Sequence, residues 1–275
     1  MKEKNILQKI KESKKYIESK CKISPKTAII CGSGLSNIKD IIEQQKVIPY
    51  SKIPYFKQST VEGHAGELVL GKIKSADVAL LNGRVHYYEG YTMQDISYPV
   101  RVMKALGAEN IIITCAVGAI NKKYNMGDIV AVKDHINFMC DNPLIGKHYS
   151  EFGDRFPDMT NIYDKNIIKQ ILKSAGKNKI KIHEGIYFAV SGPSYETPAE
   201  INAYGKLGGD VVGMSLVPES IVANQMNMKV AALTYVSNKA SGLSKNSLTH
   251  KEVLLAGKKA AIAMEKILKD FVKEF

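Results

Sequence analysis

Short runs of apolar, mostly β-branched residues alternate along the chain with segments of helical periodicity. The apolar runs predict eight strands, over Thr27–Cys31, Glu67–Ile73, Asp77–Asn82, Asn110–Ala116, Asp128–His135, Gly185–Val190, Asp210–Met214 and Lys229–Ser237. The periodic segments predict six helices, over Leu35–Glu43, Asp95–Leu106, Lys165–Ser174, Pro198–Leu207, Pro218–Met226 and Thr249–Lys273. Residues 1–22 predict a further, Lys-rich helix on the surface.

The order of these elements indicates an α/β fold. Strands that alternate with helices form a mostly parallel sheet, because each helix carries the chain back to the same end of the sheet. The strands at 67–73 and 77–82 are joined by only a short turn, which makes the sheet mixed. No linker rich in Pro, Gly or Ser divides the 275 residues. We therefore predict a single domain over 1–275, with a mixed, largely parallel central β-sheet flanked by helices.

One long stretch, residues 137–163, has no regular periodicity. It is polar and aromatic, and its prolines and glycines include Pro143, Gly146, Gly153 and Pro157. A loop of this length inside a compact domain is usually functional or lies at an interface. We predict a functional or intersubunit loop here.

Composition narrows the class of protein. Apolar residues make up 45% of the chain and charged residues 24%, as in ordinary globular proteins. No apolar run approaches the ~20 residues that a membrane helix needs, and the N-terminus lacks the apolar segment of a signal peptide. The four cysteines form no C-x-x-C pair, which argues against a zinc or redox motif. We expect a cytoplasmic protein with reduced thiols and no membrane partner.

The net charge of +12 does not indicate nucleic-acid binding. Half of the excess lies in residues 1–26, which hold nine Lys and three Glu in one helical segment. Basic runs interleaved with aromatics, and clusters of Arg, are both missing from the sequence. We expect no nucleic-acid partner, although a positive potential would help to collect an anionic substrate.

The use of arginine points to the chemistry. Among 39 Lys and Arg only three are Arg, and one of them, Arg84, follows a predicted strand and precedes His86 by two residues. Arginine presents a planar fork of donors that can hold a phosphate through two hydrogen bonds, which the point charge of Lys cannot do. The sequence therefore predicts an oxyanion site at Arg84.

Three further turns after predicted strands could contribute to the same site. The Gly-Ser-Gly turn at Ser33 resembles the start of a dinucleotide fingerprint, but a tight turn explains it equally well. The turns at Ala116 and Ser215 are, taken singly, more often packing than site. Backbone N–H groups at such turns bind small anions. Together with Arg84 and His86, these turns would surround one oxyanion.

The histidines do not predict a metal site. None shows H-E-x-x-H or the spacing of paired ligands, and an isolated His is far more often structural than a ligand. His64 lies between two glycines and is the candidate for a residue that closes the site. We predict no metal.

Two segments later in the chain suit a planar heterocycle. Glu196 could accept two N–H groups from such a ring while Tyr195 stacks on its face, and Thr197 would cap the next helix in either case. Asn238 ends a predicted strand, and its amide can donate to a ring nitrogen and accept elsewhere. These residue types together suit a nucleobase.

Eight motifs, in order along nearly the whole chain from residue 26, resemble those of purine nucleoside phosphorylases of the trimeric, low-molecular-mass type. The motifs are Gly32–Leu35, Gly63–Gly66, Gly83–Tyr91, Asn142–Gly146, Phe152–Pro157, Gly192–Thr197, Val212–Ser215 and Ser237–Lys239. The resemblance implies reversible phosphorolysis of a 6-oxopurine (deoxy)ribonucleoside in purine salvage. It also implies a homotrimer, phosphate as co-substrate and no cofactor.

The resemblance also implies a role for each matching residue. The phosphate site would hold Ser33, Arg84, His86, Ser215 and the backbone amide of Ala116. The ribose site would hold Tyr88, Met214 and His250, with Phe156 supplied by the neighbouring subunit. The base site would hold Tyr195, Glu196 and Asn238. The catalytic residues would be His86, Glu196 and Asn238.

Departures from the family and rival functions bear on these roles. Vertebrate members have Phe and Thr where this chain has Tyr195 and Ser237, and both changes keep the chemistry. Methylthioadenosine phosphorylases, the sister family, carry Asp at the position of Asn238 and an apolar residue at that of His250, so the chain favours inosine and guanosine. The other rivals are a nucleoside hydrolase and a non-catalytic purine nucleoside-binding protein.

Overall fold

The computed structural model describes residues 4–61, 64–244 and 250–272, without the side chains of 250–256 and 258. Its helices are α1 (Ile6–Lys20), α2 (Met93–Ala105), α3 (Lys165–Lys177), α4 (Pro198–Lys206), α5 (Val217–Gln225) and α6 (His250–Phe271). Its strands are β1 (Thr27–Cys31), β2 (Glu43–Pro49), β3 (Glu67–Ile73), β4 (Ala76–Asn82), β5 (Asn110–Ala119), β6 (Ile129–Asn137), β7 (Ile182–Ala189), β8 (Val211–Gly213) and β9 (Lys229–Lys239).

The nine described strands form one mixed sheet in the order β2-β3-β4-β1-β5-β8-β7-β6-β9. β1 runs parallel to β4 and β5, and β5 runs parallel to β9, so the carboxyl ends of these four strands lie along one edge. β9 also pairs with β6, so the strands β5, β8, β7, β6 and β9 close on themselves as a small barrel. The predicted α/β domain with a mixed central sheet is confirmed; the closure was not predicted.

The helices α1 to α4 each begin after a residue whose side chain caps the first turn. Thr197 accepts a hydrogen bond from the backbone N–H of Glu200, and Pro198 occupies the first position of α4. Thr92 caps α2 in the same way through Asp95. No described helix is long and apolar enough to cross a bilayer.

The prediction of a helix over Leu35–Glu43 was wrong. The structure has a short 3₁₀ helix over Ser36–Ile41, followed by β2, which pairs antiparallel with β3. Only Ile48 of β2 is buried, because the strand lies at the edge of the sheet. An edge strand with one buried residue has too weak an apolar pattern to be recognised from sequence.

The N-terminal segment is a helix, as predicted, and the long segment 137–163 is mostly irregular. The N-terminal helix is described over Ile6–Lys20, and it buries Ile10, Ser13 and Ile17 and packs against α2. Between Asn137, the last residue of β6, and Tyr163, which forms a single bridge to Val230, the chain is irregular apart from a 3₁₀ turn at Ser150–Phe152. An intersubunit role for this loop stays a prediction.

Candidate active site

A cleft at the carboxyl edge of the sheet brings most of the predicted site residues together. It holds about 720 Å³ of space, part of it open to solvent, between the loops that follow β1, β4, β7 and β8, the second half of β5 and the end of β9. Ala116 lies within β5, which continues to Ala119, and not in the turn that the sequence predicted. The predicted residues that line it are Ser33, Arg84, His86, Tyr88, Ala116, Tyr195, Glu196, Met214, Ser215 and Asn238. Residues far apart in sequence thus share one space, as an oxyanion next to a nucleoside would require.

Arg84 is buried at one end of this cleft, with only 6% of its surface exposed. Its Nη1 donates to the Ser215 hydroxyl at 3.2 Å. Its Nε lies 3.2 Å from Oε1 of Glu219, a carboxylate in the first turn of α5 that is 1% exposed. This contact is an ion pair without the alignment of a hydrogen bond, and Nη2 makes no hydrogen bond within the described residues. The guanidinium is therefore charge-balanced from behind, with donors available for an anion.

His86 is oriented by a buried carboxylate. Its Nδ1 lies 3.0 Å from Oε1 of Glu89, which also accepts the backbone N–H of His86. Burial would raise the pKa of Glu89, but hydrogen bonds from His86 and Thr60 outweigh it and lower the pKa to about 2. An ionised carboxylate can only accept, so Nδ1 carries the hydrogen and Nε2 is left for another partner. The ring also stacks on Tyr88, with centroids 4.7 Å apart.

His64 lies beside the cleft but is not among the residues that line it. Its Nε2 is 3.2 Å from the Ser33 hydroxyl, and its ring centroid is 5.1 Å from that of His86. It therefore contacts two predicted anion ligands at once. This position is compatible with the predicted closing role, which stays a prediction.

The opposite end of the cleft is more open. Tyr195 is 46% exposed, and Glu196 is half-buried. Burial raises the pKa of the Glu196 carboxyl, and the nearby Glu200 charge raises it further against a backbone hydrogen bond that lowers it. Met214 packs against the backbone of Gly192 and so links this end to the turn after β8.

The amide of Asn238 is fixed at the end of β9. Its Oδ1 accepts the Ser237 hydroxyl at 2.6 Å, and its Nδ2 donates to the Lys239 carbonyl at 2.9 Å. These two bonds set which way the amide points, and the second N–H of Nδ2 is not used by them. Asn238 can thus present a donor, rather than an acceptor, to a ring in the cleft.

Two predicted ribose contacts, Phe156 and His250, are not placed in the cleft by the described residues. Phe156 is 89% exposed, and it is absent from the described residues that line the cleft of its own chain. His250 begins α6, but its side chain lies outside the described residues. Gly63, part of one matching motif, also lies outside them.

Several residues that line or support the cleft had no predicted role. Glu89 and Glu219 hold His86 and Arg84, Ser237 fixes Asn238, and Cys115 lines the cleft. A signal existed for Glu89, which stands three residues after His86, a spacing that brings side chains together in a helical turn. Glu219 gave no such signal, because only the fold brings it to Arg84.

Among the described residues no group of three or more His, Cys, Asp or Glu could hold a metal ion.

Comparisons with known proteins agree with the geometry. A sequence model of the phosphorylase superfamily matches residues 26–273. Purine nucleoside phosphorylase 1 of Bacillus subtilis is 45% identical over 267 residues, which cover 97% of this chain and 98% of that protein. Purine nucleoside phosphorylase of Bos taurus is 38% identical over 265 residues, covering 94% and 91%. The crystal structure of Schistosoma mansoni purine nucleoside phosphorylase in complex with inosine is 35% identical, with a TM-score of 0.92 over 98% of this chain and 97% of that one.

Proposed function

This chain belongs to the phosphorylase superfamily and is an enzyme of purine nucleoside phosphorolysis, and we propose that its substrates are 6-oxopurine nucleosides such as inosine and guanosine. Inorganic phosphate would attack C1′, the bond from C1′ to N9 of the purine would break, and the products would be the free base and a pentose 1-phosphate. The reaction is reversible and serves purine salvage.

The buried Arg84, with its charge balanced by Glu219, is the observation that supports a phosphate site best. A desolvated guanidinium that faces a cleft interacts strongly with an anion, because little water screens the charge. Ser33, His86, Ser215 and the backbone of Ala116 would supply the further donors. As the glycosidic bond breaks, the bound phosphate would stabilise the positive charge that develops on the sugar.

The base end would recognise the purine and take up the charge of the leaving group. Asn238 would donate to N7 as negative charge builds on the departing ring, and Glu196 would accept the N1–H of a 6-oxopurine. Tyr195 would stack on the ring face. A 6-aminopurine has no N1–H to donate, so these two polar groups would disfavour adenosine and methylthioadenosine.

Dependence on phosphate tests this function and separates it from its rivals. Inosine is incubated with the protein in the presence and absence of phosphate, and hypoxanthine and ribose 1-phosphate are measured. We expect both products only with phosphate. Equal release of hypoxanthine without phosphate would identify a hydrolase. No release under either condition would contradict inosine phosphorolysis, and the same assay with methylthioadenosine would then separate a methylthioadenosine phosphorylase from a binding protein.

The ribose contacts are proposed to come from two subunits. Tyr88, Met214 and His250 would belong to the same chain, and the exposed Phe156 would enter the ribose pocket of its neighbour in a homotrimer. Sedimentation should then give about three times the chain mass of 30.4 kDa. In mixed trimers, subunits inactivated at Arg84 should restore activity at the sites of Phe156→Ala subunits, because those sites keep their own Arg84 and receive the intact Phe156 of the Arg84-variant neighbour. A monomer of full activity would contradict the shared site.

No metal or organic cofactor has a role in this scheme. Phosphate is the nucleophile, and the side chains of the cleft supply the donors and the acceptor that the substrates need. We propose a cytoplasmic enzyme whose partners are purine nucleosides, phosphate and further copies of the same chain.

A further inference from the structure

Three buried tyrosines each place a hydroxyl against the backbone of a different turn at the anion end of the cleft. Tyr50 donates to the Gly83 carbonyl at 2.9 Å, next to Arg84. Tyr235 donates to the Ser33 carbonyl at 2.8 Å. Tyr187 accepts the backbone N–H of Ser215 at 3.2 Å. None of the three tyrosines lines the cleft among the described residues, so each acts from behind it.

Burial makes each of these contacts a firm one. The tyrosines are 3%, 0% and 0% exposed for Tyr50, Tyr187 and Tyr235. Moving a phenol hydroxyl out of water costs free energy unless the hydroxyl finds a hydrogen-bond partner. Each hydroxyl is therefore held to its turn. Burial also raises the pKa of all three phenols, which therefore stay neutral and act as hydrogen-bond partners rather than charges.

Two of the three hydroxyls lie against glycines, which leave them the space that a larger residue would fill. A Cβ on Gly213 would lie 2.4 Å from the Tyr187 hydroxyl, and a Cβ on Gly257 would lie 2.7 Å from that of Tyr235. Both distances are far below van der Waals contact, so any larger residue at either glycine would push the hydroxyl off its turn. The two glycines lie in different elements, β8 and α6, so this accommodation occurs twice independently.

We propose that Tyr50, Tyr187 and Tyr235 are positioning residues that fix the three anion-binding turns before phosphate arrives. The inference rests on the proposed phosphorolysis, since it assigns the turns at Ser33, Arg84 and Ser215 to phosphate. Donors that are already in place cost no reorganisation when the anion binds, whereas a displacement of one turn weakens every hydrogen bond made from it.

Removal of single hydroxyls tests the proposal. Tyr50→Phe, Tyr187→Phe and Tyr235→Phe each keep the buried ring and remove the hydroxyl that contacts the turn. Tyr98→Phe is the matched control, because Tyr98 is 6% exposed and bonds the Ser13 hydroxyl at 2.7 Å, away from the cleft. For each folded variant, KM for phosphate, KM for inosine, kcat and Tm are measured.

We expect KM for phosphate to rise severalfold, up to about tenfold, in each of the three variants; tenfold corresponds to the loss of a full buried hydrogen bond from the anion site. Tyr187→Phe should give the largest rise, because it leaves a backbone N–H without an acceptor, a state that folded proteins tolerate less than a lone carbonyl. KM for inosine should change less than twofold. Tyr98→Phe should lower Tm by about as much as the other three substitutions do, but it should leave KM for phosphate and KM for inosine unchanged.

A double-mutant cycle separates positioning from general destabilisation. In a Ser215→Ala background the Ser215 hydroxyl no longer reports the position of its turn, so Tyr187→Phe should raise KM for phosphate less than it does in the wild type. The proposal is overturned if the three variants keep the wild-type KM for phosphate, or if Tyr98→Phe raises it equally. Failure of the proposed function would look different, because the wild type itself would then release hypoxanthine without phosphate or not at all.

Discussion

The two ends of the cleft are built in different ways. At the anion end, Arg84 and His86 are less than a tenth exposed, and buried carboxylates hold both side chains. At the base end, Tyr195 is nearly half exposed and Glu196 is half-buried, with only Asn238 firmly fixed. The polar groups of the first region are buried and held in place, whereas those of the second are open to solvent.

The difference is the one that the proposed ligands of the two ends would require. Phosphate is small, charged and strongly hydrated, so it is held well only by donors that are already in place and shielded from water. A purine contributes a large apolar surface, and an exposed tyrosine can cover that surface as the base enters. We therefore expect changes at the anion end to act on phosphate, and changes at the base end to act on the choice of nucleoside.

The largest expected effect comes from Asn238→Asp at the base end. The donor near N7 becomes an acceptor, and a site built for one hydrogen-bond pattern rejects the other, so kcat/KM for inosine should fall about 10³-fold or more. Turnover of adenosine should rise in the same variant. Steady-state assays with both nucleosides measure this change of selectivity, while calorimetry should show that phosphate alone binds as in the wild type. Unchanged kinetics with inosine would remove Asn238 from the base site.

A smaller effect, confined to phosphate, is expected from Arg84→Lys. The ammonium cannot contact both Ser215 and Glu219 and still hold the anion, so kcat/KM for phosphate should fall about 10²-fold. Arg101→Lys is the matched control, since Arg101 is equally buried at 6% exposure but bonds only Gln225 among the described residues. The control should stay within a few-fold of the wild type. Equal losses in the two variants would show that buried charge in general, and not the cleft, is responsible.

The smallest expected effect is the pH dependence of nucleoside binding. Burial raises the pKa of Glu196, and the ionised carboxylate accepts the N1–H of inosine more strongly than the protonated carboxyl group does. As pH falls through this raised pKa, KM for inosine should increase, by up to roughly tenfold per pH unit. The rise should begin at a higher pH than an ordinary Glu would give. Glu196→Gln, assayed over the same range, should lose this limb while the titration of phosphate itself remains.

Much of the fold could be predicted because apolar periodicity reports local structure. The strands around Ile29, Ile112 and Ala231 are buried on both faces, and their apolar runs are unambiguous. The edge strand β2 escaped because Ile48 is its only buried residue. The closure of β9 onto β6 escaped for another reason, since pairing between strands distant in sequence leaves no trace in the periodicity of either one.

The site divides in a similar way. The position of Arg84, His86, Glu196 and Asn238 in one cleft could be predicted, because polar residues that follow apolar strands stand out and because the motifs around them resemble a family. The buried residues that hold these side chains and their turns in place could not be predicted. Glu219 lies in an apolar helix and Tyr187 in an apolar strand, where a single polar group has the same pattern as the core. Only the folded arrangement shows which of these groups reaches the cleft.

The central claim is that the anion end is complete before any nucleoside binds. The most direct test is a crystal structure of the protein with phosphate and no nucleoside. We predict an anion within hydrogen-bond distance of the Arg84 guanidinium and of the Ser33 and Ser215 hydroxyls, with the three turns unmoved. An unoccupied cleft at saturating phosphate, or an Arg84 side chain turned away from the anion, would contradict the account.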